Sequence, residues 1–257
     1  MVTMIALALA LAEEGMSKLH GGVGGEGSPS HAGRGVLSSA VMSASASGTY
    51  APSRVRTPAL FGRVMGLVAL TVGFATLGVW LGRDSGGAAW FVAWLVAIGC
   101  LIGLNLANAR GNTSLALVLL FAFGLLLGWS VATTVNYYAQ TDPTALRQAF
   151  GATALSVAAL GAGGYAVRRD LSFLYRILFW LLLALIIAGI ALIFVRIPAA
   201  YTVWSVLGLL IFAGYTVVDF NRLRRAGKDE AIPLAASIFL DVFNIFLFFL
   251  QIFGGRS

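Results

Sequence analysis

From Ala59 onward, apolar residues arrive in long blocks separated by short charged or turn-rich pieces. A bilayer core of about 30 Å needs roughly 20 helical residues. Seven blocks meet that length: residues 60–82, 87–107, 114–136, 149–167, 177–195, 199–218 and 231–254. The intervening pieces carry turn chemistry or charge. "GRDSGG" (82–87), "NARGNTS" (108–114) and "QTDPTALR" (140–147) hold Gly, Asp and Pro, while "RRDLS" (168–172) and "NRLRRAGKDE" (221–230) are charged. Between the fifth and sixth blocks, Arg196 and Pro198 predict a tight turn. The pattern predicts an all-α polytopic membrane protein of seven transmembrane helices.

Composition supports that class. Of the 257 residues, 59% are hydrophobic and 11% charged, and the mean hydropathy is +0.90, whereas a soluble domain is about a quarter charged. The net charge of +7 is scattered between apolar blocks instead of gathered on one surface, so topology explains it and nucleic acid is not an expected partner. Most of the 17 Lys and Arg fall on one side if the N-terminus is cytoplasmic. That places the C-terminus outside, and the Arg-rich usage fits a bacterial cytoplasmic membrane. The single Cys100 allows no intrachain disulfide, and His20 and His31 lie outside the apolar part. No metal site is therefore firm, no cofactor is expected, and no nucleophile–base set points to an enzyme.

Residues 1–58 are Gly-, Ser- and Ala-rich and read as a disordered tail, or as an extension ahead of an alternative start at Met42. The membrane domain then occupies 59–257. Within it, Gly62 and Gly66, Gly99 and Gly103, and Gly124 and Gly128 recur at four-residue spacing, which predicts close helix packing.

Two acids stand out: Asp219 at the end of the sixth block and Asp241 within the seventh. A charged carboxylate at the centre of a membrane helix costs about 2.5–3.5 kcal/mol on insertion scales, so such a group is expected inside the bundle. In the last block Ser237, Asp241, Asn244, Phe248 and Gln251 share one helical face, and in the sixth Ser205, Gly208, Phe212, Tyr215 and Asp219 share another. In an antiparallel hairpin the acids lie roughly 9 and 13 residues from the turn, an axial offset of about 6 Å. They can meet. Two carboxylates in a low-dielectric interior cannot both ionise cheaply, so a meeting pair shares a proton and titrates as a unit. The competing reading is that each acid pairs separately with Arg110, Arg222 or Tyr215 and only locks helices.

These residues carry a resemblance. "GYTVVDFNRLRR" followed by "EAIPLAASIFLDVFNIFLFFLQIFG" resembles the C-terminal signature of the Bax inhibitor-1 family, and "QAFGATALSVAALGAGGYAVRRDLSFL" matches its middle segment. The likeness spans roughly residues 58–254. It implies a bundle with the C-terminal helix central and six helices around it. It also implies a pH-sensitive calcium or cation leak in which Asp219 and Asp241 form the proton sensor and gate, with Arg110 as latch partner. Asn244, Ser237, Tyr215 and Gln251 would form the supporting polar stripe, and calcium, as permeant ion, would pass near Asp219 and Asp241. Expected partners are membrane lipids, protons and cations. The alternative is a non-conducting regulator or adaptor of a membrane protease or of cell-death or stress machinery. One departure is evident: similar bacterial proteins often carry a glutamate in the second helix, and Gly99 falls about there.

Overall fold

The computed structural model describes residues 57–86, 88–194 and 198–255. Of the tail expected at 1–58, residues 1–56 lie outside the described residues, and Thr57 and Pro58 open the first helix. The expected turn at Arg196 lies outside them too. Among the described residues there are eight α-helices: α1 (Thr57–Gly82), α2 (Ala89–Ala109), α3 (Thr113–Ser130), α4 (Ala132–Thr141), α5 (Pro143–Ala166), α6 (Ser172–Phe194), α7 (Pro198–Leu223) and α8 (Ala231–Gly254), with a 3₁₀ turn Lys228–Glu230 between the last two. Seven are long and apolar enough to cross a membrane, all but α4. This is an all-α polytopic membrane protein.

Local chemistry sets the boundaries. The Asn112 side chain accepts the Leu115 N–H (3.1 Å) and caps α3. Asp142 caps α5 by accepting the Ala145 N–H (2.9 Å), with Pro143 at the first helical position, where its missing N–H costs nothing. Gly111, at φ 73, makes the tight reversal between α2 and α3.

The block read as 114–136 is not one helix. Val131 leaves helical geometry (φ −107, ψ 3), so α3 stops at Ser130. Residues 132–141, "ATTVNYYAQT", are too polar to continue through a bilayer and form the short α4 instead. Trp129 anchors this end by donating its indole N–H to the Ser85 hydroxyl at 2.9 Å.

The α1–α3 crossing explains part of the glycine pattern. A Cβ added at Gly128 would stand 1.9 Å from the Ala75 carbonyl oxygen, and one at Gly124 would stand 2.6 Å from the Thr71 side chain. Only glycine permits this approach. By contrast, Gly62, Gly66 and Gly99 face open space, and Gly103 makes one close contact, to Leu119. The four-residue spacing therefore predicts packing at one of the three pairs.

Helix α8 is the hub. It packs against α1, α2, α3, α5 and α7. In its membrane-crossing stretch 72% of residues are buried, against 56% in α7 and 22–33% in the other five spans. Leu104, Leu120, Phe123 and Ile238 are fully enclosed where α2 and α3 meet it, and the Phe123 and Phe239 rings meet edge to face at 5.8 Å. The C-terminal helix is central, as the resemblance implies. A polar stripe on such a helix is shielded from lipid by its neighbours, and that positions the site.

Candidate functional site

The predicted faces of α7 and α8 meet in antiparallel register. The Ser237 hydroxyl donates to the Asp219 carboxylate. One turn deeper, the Thr216 hydroxyl adjoins the Asp241 carboxyl group, and the two acids are close enough to interact electrostatically. Deeper again, a Cβ at Gly208 would strike the Phe248 ring, so the glycine admits the aromatic. At the far end Ser205 donates to Gln251 at 2.7 Å. The two polar stripes therefore face each other along the whole crossing.

Burial is extreme for such polar residues. Asp219 is 0% exposed, Asp241 and Asn244 1%, and Thr216, Asn221 and Ser205 0%. Thr216 donates to the Phe212 carbonyl (2.9 Å), and Asn244 donates to the Leu240 carbonyl (2.7 Å). The Tyr215 ring is fully buried and lies edge-on to Tyr175 at 5.2 Å. Its phenol lies within electrostatic reach of both carboxylates. Among the described residues, the Tyr215 hydroxyl and Asp241 Oδ2 find no hydrogen-bond partner. Buried polar atoms are almost always bonded, so this stretch holds unused polar capacity at membrane depth.

Arg110 is placed elsewhere. It caps the end of α2 with an exposed side chain, and among the described residues no ion pair joins it to either aspartate. Its neighbour Asn108 ties the end of α2 to the 3₁₀ turn before α8 through the Asp229 carbonyl (3.0 Å). Arg222, the other arginine weighed as a partner, bonds Glu230 at 3.3 Å. Gln251 is exposed at the far end of α8 and serves as a clasp to α7. Gly99 lies on the exposed face of α2, so a side chain there would point outward from the bundle.

Asn221, within the "GYTVVDFNRLRR" stretch, has a structural role that its position in the sequence does not announce. Its amide nitrogen donates to the carbonyls of Gly164 (3.3 Å), Val167 (2.7 Å) and Arg169 (3.1 Å), and its oxygen accepts from the Leu171 N–H (3.3 Å) and from Arg225 (2.8 Å). It thereby fastens the whole α5–α6 connection to α7. Beside it Arg225 grips Asp170 through both nitrogens, at 2.7 and 2.8 Å. That grip holds the Asp170 carboxyl well below the usual carboxylate range and raises the Arg225 guanidinium. The signal was the "DFN" spacing: two residues beyond Asp219, Asn221 points to another helix.

Among the described residues no three His, Cys, Asp or Glu side chains gather. The site is a pair of acids with hydroxyls, an arrangement whose oxygens are able to take up a proton or a cation.

Fold and site together define a polytopic membrane protein with a di-acid enclosed around its last helix. The chain belongs to the family described as "Inhibitor of apoptosis-promoting Bax1", whose model matches residues 57–257. It is 31% identical over 145 residues to a Vibrio cholerae protein named "Uncharacterized membrane protein", covering 56% of this chain and 65% of that one. A Streptococcus pyogenes serotype M1 membrane protein is 30% identical over 162 residues, 60% of this chain and 69% of that protein. A vaccinia virus (strain Lister) protein named "Golgi anti-apoptotic protein" is 32% identical over 157 residues, 61% of this chain and 64% of its own. The chain thus covers somewhat less than two thirds of the Vibrio and vaccinia proteins.

Proposed function

We propose that this protein is a proton-sensitive leak for calcium or other small cations, gated by Asp219 and Asp241. The observation that carries the reading is the enclosure of both acids at the α7–α8 contact, beside an unpartnered Asp241 oxygen and Tyr215 hydroxyl. A proton shared by the pair holds α7 and α8 together. Losing it puts a second negative charge into a medium that penalises it, which separates the helices or draws in a cation. Ser237 and Thr216 supply the adjoining hydroxyls, Asn244 braces α8, and Gln251 clasps the far end. Calcium prefers six to eight oxygen ligands, more than this pair supplies, so the site suits transient passage better than storage. Arg110 acts as latch in a conformation where α2 swings its end toward α7.

The arginine-rich face, which holds the ends of α2, α5 and α7 and the start of α8, supports an N-terminus inside and a C-terminus outside. The bacterial relatives support a bacterial cytoplasmic membrane. A second reading is a non-conducting regulator of a membrane protease or of stress or cell-death machinery, and the name of the vaccinia relative favours it. Neither reading involves catalysis.

Flux into liposomes separates the two. With a calcium dye inside, the full chain should leak at a rate that depends on pH, and Asp219→Asn or Asp241→Asn should flatten that dependence. Folded protein with no flux at any pH refutes the leak. Co-purification with a protease, unchanged by those substitutions, would then favour the regulator.

A further inference from the structure

The outer wall of the bundle is open between α1 and α5, which scarcely touch each other. The opening is a lateral groove of about 640 Å³, within the usual range for ligand cavities. Its walls are Met65 on α1 and Ala154, Val157 and Ala158 on α5, and its floor reaches Val242, the neighbour of Asp241. The lining is almost wholly apolar, and Thr153, its one hydroxyl besides Tyr165, spends its proton on the Ala149 carbonyl (2.7 Å). From Thr153 to Tyr165 the groove runs along α5 for about 18 Å, roughly one leaflet of a 30 Å hydrocarbon core.

Its two ends differ. On the arginine-rich face Phe61, Tyr165 and Phe220 form an aromatic collar, with Phe61 edge-on to Tyr165 at 5.3 Å and tilted against Phe220 at 6.5 Å. A tyrosine such as Tyr165, with an apolar ring and a polar tip, is suited to headgroup level. Arg224 follows the last residue of α7, four positions beyond Phe220. Its Nε is buried and, among the described residues, has no hydrogen-bond partner. Arg168 and Arg169, both exposed, follow the end of α5. Three arginines, Arg168, Arg169 and Arg224, thus follow the ends of the two helices that carry Tyr165 and Phe220, at the collared end of an apolar slot one leaflet long.

We propose that this groove is a binding site for one anionic phospholipid, with an acyl chain between α1 and α5 and the phosphate on Arg224. Apolar length and positive charge coincide at one end only, which is the signature of a lipid with a negative headgroup in the leaflet of that face. The seated chain lies against Val242 and Phe220, the immediate neighbours of both aspartates.

The test uses the full chain in phosphatidylcholine vesicles containing a phosphatidylglycerol with a photoreactive acyl chain. Crosslinks should map to Met65, Ala154, Val157 and Ala158. Unlabelled phosphatidylglycerol should compete about fivefold better than phosphatidylcholine, the ratio expected for about 1 kcal/mol per basic group near the surface. Arg224→Gln should abolish that preference while leaving crosslinking in place. Ala158→Phe, at an exposed position where the ring fills only the groove, should remove the crosslinks. Ala154→Phe, also exposed, serves if that variant does not fold. Crosslinks spread evenly around the bundle, equal competition by both lipids, or a preference unchanged in Arg224→Gln overturns the proposal. Exclusion of lipid from the groove, as would follow if residues 1–56 lay across it, also overturns it.

Discussion

Replacing Asn221 by alanine should be among the most damaging single changes on the arginine-rich face. The side chain is fully buried and makes five hydrogen bonds, to Gly164, Val167, Arg169, Leu171 and Arg225. Alanine removes all of them and leaves three carbonyls and an N–H without that partner. Each bond in a membrane bundle is worth about 0.6 kcal/mol on average, and a buried group left unpaired costs about 1–3 kcal/mol. The bonds at 3.3 Å are weak and the exposed Arg225 re-solvates, so the whole loss comes to about 2–5 kcal/mol. At roughly 2–4 °C per kcal/mol for a protein of this size, the melting temperature in detergent should fall by about 5–15 °C. Asn221→Asp provides the contrast: it keeps the acceptor for Leu171 and Arg225 but turns a carboxylate toward three carbonyls. It should be no more stable than the alanine variant. A fall of less than about 2 °C for Asn221→Ala would refute the reasoning, because it would mean that the α5–α6 connection is held by something other than this amide.

Further outcomes follow from the same structure. Gly128→Ala should destabilise the fold by about 1–3 kcal/mol or more, because its methyl would overlap the Ala75 carbonyl, whereas Gly62→Ala, in open space, should be neutral or slightly stabilising. Parallel thermal scans of the two variants check this, and equal effects would discount the α1–α3 contact. Asp170 is held below the ordinary carboxylate range by Arg225, so its stabilising contribution is complete above about pH 4 and fades as the carboxyl is protonated at lower pH. The melting difference between the native chain and Asp170→Asn should therefore stay constant above about pH 5 and shrink below about pH 4. A difference growing with acidity would reverse the assignment. In the flux assay Ser237→Ala, which removes the hydroxyl bonded to Asp219, should shift the pH of half-maximal leak without abolishing it. An unchanged profile would detach Ser237 from the gate.

Much of this architecture could be read from hydrophobic pattern. Seven runs of sufficient length become seven spans because a lipid-exposed backbone must satisfy its hydrogen bonds internally, and the helix is the local way to do so. The exception was instructive. The run 114–136 contained a break that hydropathy did not register, since "ATTV" is apolar enough to extend the run, whereas the polar residues that follow it turn the chain into the separate α4. The glycine pairs were legible as a pattern and not as a location, because spacing is a property of one helix and close approach a property of two. The stripes on α7 and α8 were legible as faces, but Thr216, which adjoins Asp241, was not among the residues they named. Polar residues on a membrane helix have a single energetically acceptable direction, so periodicity alone aims them inward.

By itself, then, the sequence determined the class of protein, the number of spans, the arginine-rich face and the two stripes carrying Asp219 and Asp241. Each follows from a local cost that one helix in lipid incurs without reference to its neighbours. Only the tertiary structure decided that Ser237 and Thr216, and not Arg110, stand beside those acids, that Asn221 fastens a distant connection, and that α1 and α5 part to leave a groove floored by Phe220 and Val242. Those facts depend on which helices pack together and at what register. They are set by side-chain shape across interfaces between residues far apart in the chain, where the cost of a mismatch appears only once both surfaces exist.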